Sequence, residues 1–229
     1  MTWVLDNLGL ILELTAAHLR QSVVPIVLGF LLSLPLGWVA WRYRLVRGPI
    51  IALTGLLYTI PSLALLILLP SVVGYSARSE ANLIIALTIY AVAILVRAVA
   101  DGLDSVDDGV RQAATATGFA PFRRFWAVEF PLAGPVILAG LRVTAVSTIS
   151  LATVGILIGV RNLGYLFTDG LQRRIIAEVL AGVIAVVVIA LIVDFLLLLA
   201  GRALMPWTRA VAKTAKTAPS PAATMRAAA

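Results

Sequence analysis

Five stretches of this chain are apolar and long enough to cross about 30 Å of hydrocarbon, which takes roughly 20 helical residues. They run about Val23–Trp41, Ile50–Leu69, Leu83–Val99, Pro135–Val160 and Val179–Ala200. The first two carry no charge, and the others carry one each: Arg97, Arg142 and Asp194. Inside a bilayer no water is available to backbone N–H and C=O groups, so each stretch must pair them internally as a helix. No β-barrel alternation is visible. The sequence therefore predicts an all-α integral membrane protein with five transmembrane helices. Composition agrees: 61% hydrophobic and 13% charged residues leave too little polar surface for a soluble domain, which carries about 25% charged residues.

The same counts exclude whole classes of chemistry. With no cysteine and a single histidine, His18, the chain has no disulfide scaffold, thiolate metal site, Cys nucleophile or multi-histidine zinc site. It also lacks a glycine-rich phosphate loop of the Walker type, so it cannot supply its own ATP site. The net charge of +7 is explained by topology. Between the spans, one face holds Arg20, Arg78, Arg161, Arg173 and Arg174. The other holds Arg42, Arg44, Arg47, Arg111, Arg123, Arg124, Arg202, Arg209, Lys213, Lys216 and Arg226. The positive-inside rule makes the second face cytoplasmic, with the N-terminus outside and the C-terminus inside. Trp38, Trp41 and Trp207 fall at that same interface, as an aromatic belt does. The basic residues form no compact patch with interleaved aromatics, so no nucleic-acid partner is expected.

Residues 1–22 are apolar but interrupted by Asp6, Asn7, Glu13 and His18. They lack the basic start and unbroken apolar core of a signal peptide. They read as an interfacial amphipathic helix on the outer face, the alternative being a sixth, poor span. Residues 23–200 form the transmembrane domain. Residues 201–229, rich in Ala, Thr, Lys and Pro, read as a disordered cytoplasmic tail.

The longest polar connection runs from 101 to 134, between the third and fourth spans on the cytoplasmic side. Its centre reads Gln112-Ala113-Ala114-Thr115-Ala116-Thr117-Gly118, and it ends Val128-Glu129-Phe130-Pro131. Small side chains from Gln112 to Thr117 let another protein approach the backbone closely. Gly118 is suited to the φ > 0 conformation that ends a helix, and Pro121 to starting the next turn. Phe119, Phe122, Phe125 and Trp126 supply apolar surface beside Arg123 and Arg124, and Pro131 and Pro135 redirect the chain. The expectation is a helix–turn–helix lying across the membrane surface, a docking knob.

This pattern resembles the cytoplasmic signature of bacterial ABC importer permeases: Glu-Ala-Ala, three residues, Gly, nine residues, then Ile-x-Leu-Pro. Ala113, Ala114, Gly118 and Pro131 match it. Gln112 replaces Glu, keeping hydrogen-bonding capacity and losing a charge, while Val128 and Phe130 keep apolar character. Three further runs resemble the osmoprotectant subfamily, whose permeases carry glycine betaine, carnitine, choline or proline betaine. They are Tyr58-Thr59-Ile60-Pro61-Ser62-Leu63-Ala64-Leu65, Gly102-Leu103-Asp104-Ser105-Val106-Asp107 and Gly140-Leu141-Arg142. A Gly-Gly-Leu-Gly usual after the fourth span reads Arg161-Asn162-Leu163-Gly164 here.

The resemblance implies a type I, binding-protein-dependent importer permease fold in the bacterial inner membrane. Gln112, Ala113, Ala114, Gly118, Phe119, Pro121, Phe122 and Pro131 would then couple to a cytoplasmic ABC ATPase that carries the ATP and Mg. A second permease subunit, identical or paralogous, and a separate extracytoplasmic solute-binding protein would complete the assembly. The chain itself needs no cofactor.

Pro61 removes one hydrogen bond from the second span and frees the carbonyl of Leu57, with Thr59 and Ser62 placed to re-pair exposed groups. Tyr58 and Tyr90 offer π faces to a cation. These five residues are the candidate translocation path, the alternative being a packing kink without solute contact. Arg142 and Asp194 read as interfacial anchors, with a pair between them as the alternative. Asp101, Asp104, Asp107 and Asp108 read as a solvated helix start. Two other functions stay open at this point: a permease for another small solute such as an amino acid, and a membrane-embedded metal-dependent transferase using those acids.

Overall fold

The computed structural model describes residues 2–208. All of its regular elements are helical: α1 (Thr2–Asp6), α2 (Leu8–Arg42), α3 (Arg44–Thr59), α4 (Ser62–Val73), α5 (Glu80–Asp104), α6 (Asp108–Ala116), α7 (Pro121–Arg124), a π-helical turn (Phe125–Glu129), α8 (Phe130–Ala152), a 3-10 stretch (Thr153–Ile158), α9 (Gly164–Gln172) and α10 (Ile176–Leu204).

Four of the expected spans are present as long apolar helices: α2, α5, α8 with its flanking turns, and α10. The fifth differs. The stretch expected to be one span over 50–69 is broken into α3 and α4, with a bend of 108° between them. The reason lies at Ile60-Pro61, where both residues have extended ψ, 127° and 133°. Pro61 has no N–H to give Leu57, whose carbonyl instead takes a 3.4 Å bond from the N–H of Ile60. Further along, Pro70 leaves the carbonyl of Leu66 without its helical partner. The buried amide of Asn82 on α5 donates to that carbonyl at 2.9 Å.

The N-terminal segment also departs from expectation. α2 runs through residues 22 and 23 without a break, so residues 8–22 are not a separate interfacial helix. At 1.5 Å per residue α2 is about 52 Å long, well beyond the hydrocarbon thickness. Val4, Leu8, Ile11, Thr15 and Leu19, at helical spacing, line an apolar groove with Leu180, Ile184, Val188 and Ile192 of α10. The expected tail over 201–229 falls mostly outside the described residues, and its first four residues complete α10.

α5 is the hub, and its mostly buried sequence contrasts with α10, only 6% of whose most apolar window is buried. Small residues set the distances. A Cβ on Gly29 would lie 2.4 Å from Ala91, one on Gly37 2.6 Å from Val99, and one on Gly140 2.3 Å from Ala98. α2 and α8 therefore approach α5 backbone to backbone, the contact that small residues allow in membranes.

The two ends of the bundle collect different residues. At one end Arg20 pairs with Glu80, and Gln21 meets Arg161 and Asn162. At the other Arg47 pairs with Asp101 and Asp104, and Arg111 lies over Trp41. These are the two groups that the charge count separates in the sequence.

Candidate coupling segment and translocation path

α6 is started by Asp107, whose carboxylate accepts from the N–H groups of Gly109 at 2.7 Å and Val110 at 3.3 Å, an N-cap. It is ended by a Schellman turn. The N–H of Phe119 reaches the carbonyl of Ala114 at 3.1 Å, that of Gly118 reaches Thr115 at 3.0 Å, and Gly118 sits at φ +86°. Pro121 opens α7 as the sequence predicts. Gln112, Ala113, Ala116, Thr117, Gly118, Pro121 and Phe122 are exposed, Phe119 and Pro131 half-buried and Ala114 buried. A Cβ added at Gly118 would meet nothing within 4 Å. The knob thus presents a small, open face to solvent.

What holds the knob is a residue that the sequence reading passes over as the variable position of its signature. Glu129 is 1% exposed. Its carboxylate accepts from Arg124 at 2.8 Å and lies 3.9 Å from Arg111. Arg124 also donates to Thr115 of α6 at 2.8 Å. Arg111 donates to the carbonyl of Leu103 at the end of α5, pairs with Asp108 and stacks 5.1 Å from the ring of Trp41 on α2. A buried charge persists only when paired and hydrogen-bonded, and here those partners join α6 to α2, α5 and the entry of α8. The spacing of Arg111, Arg124 and Glu129 gives no sign of this in one dimension.

The four aspartates find structural partners: Asp101 and Asp104 pair with Arg47, Asp107 caps α6, and Asp108 pairs with Arg111. No cluster of three metal-ligating side chains occurs among the described residues.

Of the path residues, Tyr58, Thr59 and Pro61 are exposed, Ser62 is half-buried and Tyr90 is buried. The break brings Tyr58 and Tyr90 together edge to face, ring centroids 5.9 Å apart. The hydroxyl of Tyr90 donates to the carbonyl of Ile60 at 2.6 Å, satisfying a group that the break leaves without its helical partner. Thr59 donates to Leu56 at 2.7 Å, and Ser62 makes no side-chain hydrogen bond among the described residues. Tyr90 therefore secures the bend, and Tyr58 alone keeps an exposed π face.

Arg142 and Asp194 are not separate anchors. They form a bidentate pair, Nε to Oδ1 and Nη2 to Oδ2, both 2.7 Å. At the end of the bundle away from the knob, Asn162 is fully buried. Its amide donates to Gln21 at 2.9 Å and to the carbonyl of Ala152 at 2.7 Å, and its oxygen accepts from Gly164 at 2.8 Å. A Cβ on Gly164 would lie 2.1 Å from the carbonyl oxygen of Thr153, so no other residue fits there.

Residues 25–210 match the family described as binding-protein-dependent transport system inner membrane component. The chain is 32% identical over 200 residues to the choline transport system permease protein OpuBB of Bacillus subtilis, covering 87% of this chain and 91% of that one. It is 31% identical over 198 residues to the osmoprotectant import permease protein OsmW of Salmonella typhimurium, covering 85% and 92%. It is 32% identical over 206 residues to the glycine betaine/carnitine/choline transport system permease protein OpuCD of Bacillus subtilis, covering 90% and 89%. A chain of the MetNI methionine ABC transporter, solved in an inward-facing conformation, has the same fold, with a TM-score of 0.77 at 20% identity over 87% of this chain and 98% of that one.

Proposed function

From the premise that the chain belongs to the binding-protein-dependent transport system inner membrane components, multi-pass transport subunits rather than enzymes, we propose that it is the permease of an ATP-driven importer for compatible solutes. Glycine betaine, carnitine, choline and proline betaine are the candidate cargo, in keeping with the names of its relatives. The observation that carries the reading is the knob. Its exposed small face ends in a left-handed glycine, and its base is tied by the buried Glu129 to the ends of three membrane helices.

A cytoplasmic ATPase binding ATP and Mg grips that face through Gln112, Ala113, Gly118, Phe119, Pro121 and Phe122, with the buried Ala114 and the half-buried Pro131 shaping the knob. Closure of the ATPase pulls the knob, and the Glu129 junction passes the motion to α2, α5 and α8. A second permease subunit closes the path, to which Tyr58 contributes an exposed ring beside the bend at Pro61. An extracytoplasmic binding protein delivers the solute. The basic end of the bundle faces the cytoplasm, with the N-terminus outside.

Co-expression with the candidate ATPase and binding protein, followed by purification and reconstitution, tests this. The expected result is a complex that takes up radiolabelled glycine betaine only with ATP, with competition by carnitine or choline and none by amino acids. Purification without an ATPase, or competition by amino acids alone, overturns the reading. The likeness to the methionine transporter at 20% identity supports the fold and does not favour an amino acid as cargo.

A further inference from the structure

The Arg142–Asp194 pair sits at a depth where lipid does not tolerate it. The entry of α8 and the end of α10 lie together, Gly134 packing on Met205 and Gly201 on Leu138. Arg142 follows Phe130 by twelve residues and Asp194 precedes Leu204 by ten, so both lie about 15–18 Å from that end, near the middle of a core about 30 Å thick. Their side chains are 35% and 27% exposed. Nη1 of Arg142 has no hydrogen-bond partner among the described residues. A charged pair at mid-depth with part of its polar surface open faces a bundle interior or a water-filled cavity.

The surroundings support the second. Arg142 and Asp194 form the polar wall of a cleft of about 490 Å³ whose other lining residues are Ala139, Val143, Val146 and Ser147. That volume is within the range of about 300–1,000 Å³ typical of small-molecule sites. Apart from the pair and the hydroxyl of Ser147, the side chains of α8 that line the cleft are short and aliphatic, Ala139, Val143 and Val146. The exposed surface of α10 away from the pair is large and apolar, with Ile184, Val188, Ile192 and Phe195, as a lipid-facing surface is.

We propose that this cleft is a way-station for the solute, and that Arg142 and Asp194 select zwitterions over simple cations. This rests on the osmolyte reading above. A solute with a carboxylate and a quaternary ammonium brings the same two charges that the pair holds against each other. Its carboxylate takes the guanidinium of Arg142 in the fork geometry now occupied by Asp194, and its ammonium group lies against the released Asp194. A cation such as choline engages Asp194 only and leaves Arg142 uncompensated.

Two measurements on the full transporter complex test the proposal. The chain has no cysteine, so Val143→Cys and Ser147→Cys give single reactive sites beside the pair. Ile192→Cys, two residues from Asp194 and across α10 from it, reports the lipid side at matching depth. A charged, membrane-impermeant thiol reagent is expected to label positions 143 and 147 at least tenfold faster than 192. Equal, slow labelling overturns the proposal, whether lipid or a dry second subunit covers the face. In the second measurement the double variant Arg142→Gln/Asp194→Asn keeps an amide–amide contact but removes both charges. The ratio of ATP-driven glycine betaine uptake to choline uptake is expected to fall about tenfold, because the zwitterion loses two charge contacts and the cation one. An equal fall for both solutes, or none, overturns the selectivity claim. If the unaltered complex carries neither solute, the osmolyte reading fails, and the labelling still decides whether the cleft holds water.

Discussion

The two ends of the helix bundle are fastened by different chemistry. At the knob end the fastenings are ionic: Glu129 between Arg124 and Arg111, and Arg47 between Asp101 and Asp104. At the far end the buried fastenings are neutral, with the Arg20–Glu80 pair left at the surface: Asn162 bonds Gln21, Ala152 and Gly164, Gln21 bonds Arg161, and the Nε2–H of His18 donates to the carbonyl of Ile149 at 3.0 Å. Two of these bonds, to Ile149 and Ala152, satisfy carbonyls that the last turn of α8 leaves open, and all need one geometry. The ionic contacts join long side chains to groups on several helices and tolerate small displacements. Under the mechanism proposed above, the contrast assigns the far end the role of anchor and the knob end that of transmitting force.

The largest expected effect tests the ionic end at its buried centre. Glu129→Ala leaves Arg124 without a carboxylate partner and Arg111 with only the exposed Asp108, and breaking a buried pair in this way costs about 3–5 kcal/mol. The thermal midpoint of the purified complex is expected to fall steeply, and the knob to become protease-sensitive before the spans do. Loss of the midpoint without early knob cleavage counts against Glu129 as the local tie. Next comes the anchor. Asn162→Ala deletes three buried hydrogen bonds at about 1 kcal/mol each, a loss of about 3 kcal/mol. The contrast predicts that this loss is insensitive to salt, whereas that of Glu129→Gln, which keeps the shape and weakens the charge pairing, shrinks at high ionic strength. Scanning fluorimetry at two salt concentrations reads both.

Much of this was legible in one dimension, and the parts that were not share a cause. Apolar run length located four of the five expected spans as long helices, turn chemistry located the end of α6 at Gly118 and the start of α7 at Pro121, and charge counts separated the two ends. Pro61 announced a disturbance, but its size depended on Tyr90, thirty residues away, being placed to take the carbonyl of Ile60. Asn162 showed in the sequence only as a mismatch to a glycine-rich pattern, although it is the centre of the anchor. Arg142 and Asp194 were each the one charge in their span, a signal that could have paired them, but not which face of α8 they open onto. The continuity of α2 across 22/23 was masked by polar residues that read as a boundary. His18 is in fact buried against α8, and Asn7 bonds back to Trp3 at 2.8 Å. In each case the missing information is which distant residue receives a polar group, and hydropathy does not encode it.

Gly118 sharpens the comparison at the tip of the knob. Its φ of +86° costs a residue with a Cβ about 1–2 kcal/mol, while the open space around it adds no clash within the chain. Gly118→Ala and Gly118→Arg are therefore expected to share a modest stability loss and to part in function. The Ala variant keeps most of its uptake, while the Arg variant inserts normally but hydrolyses ATP without moving solute, because its bulk lies on the face proposed to meet the ATPase. Equal uptake by the two variants removes the knob from the coupling mechanism.

The smallest effect is expected at Arg47, and it is the most discriminating for the contrast. Arg47 pairs with Asp101 and Asp104 on α5, but all three side chains are between 31% and 53% exposed. Water screens such contacts, and exposed pairs contribute about 0–1 kcal/mol. Arg47→Gln should therefore shift the midpoint only slightly, and raising the salt to about 1 M, where the screening length is about 3 Å, should erase the difference. If Arg47→Gln instead costs as much as Asn162→Ala, the corner between α2 and α3 is as rigid as the far end. Under the proposed coupling, motion of the knob would then reach α2 through Arg111 and Trp41 rather than through that corner.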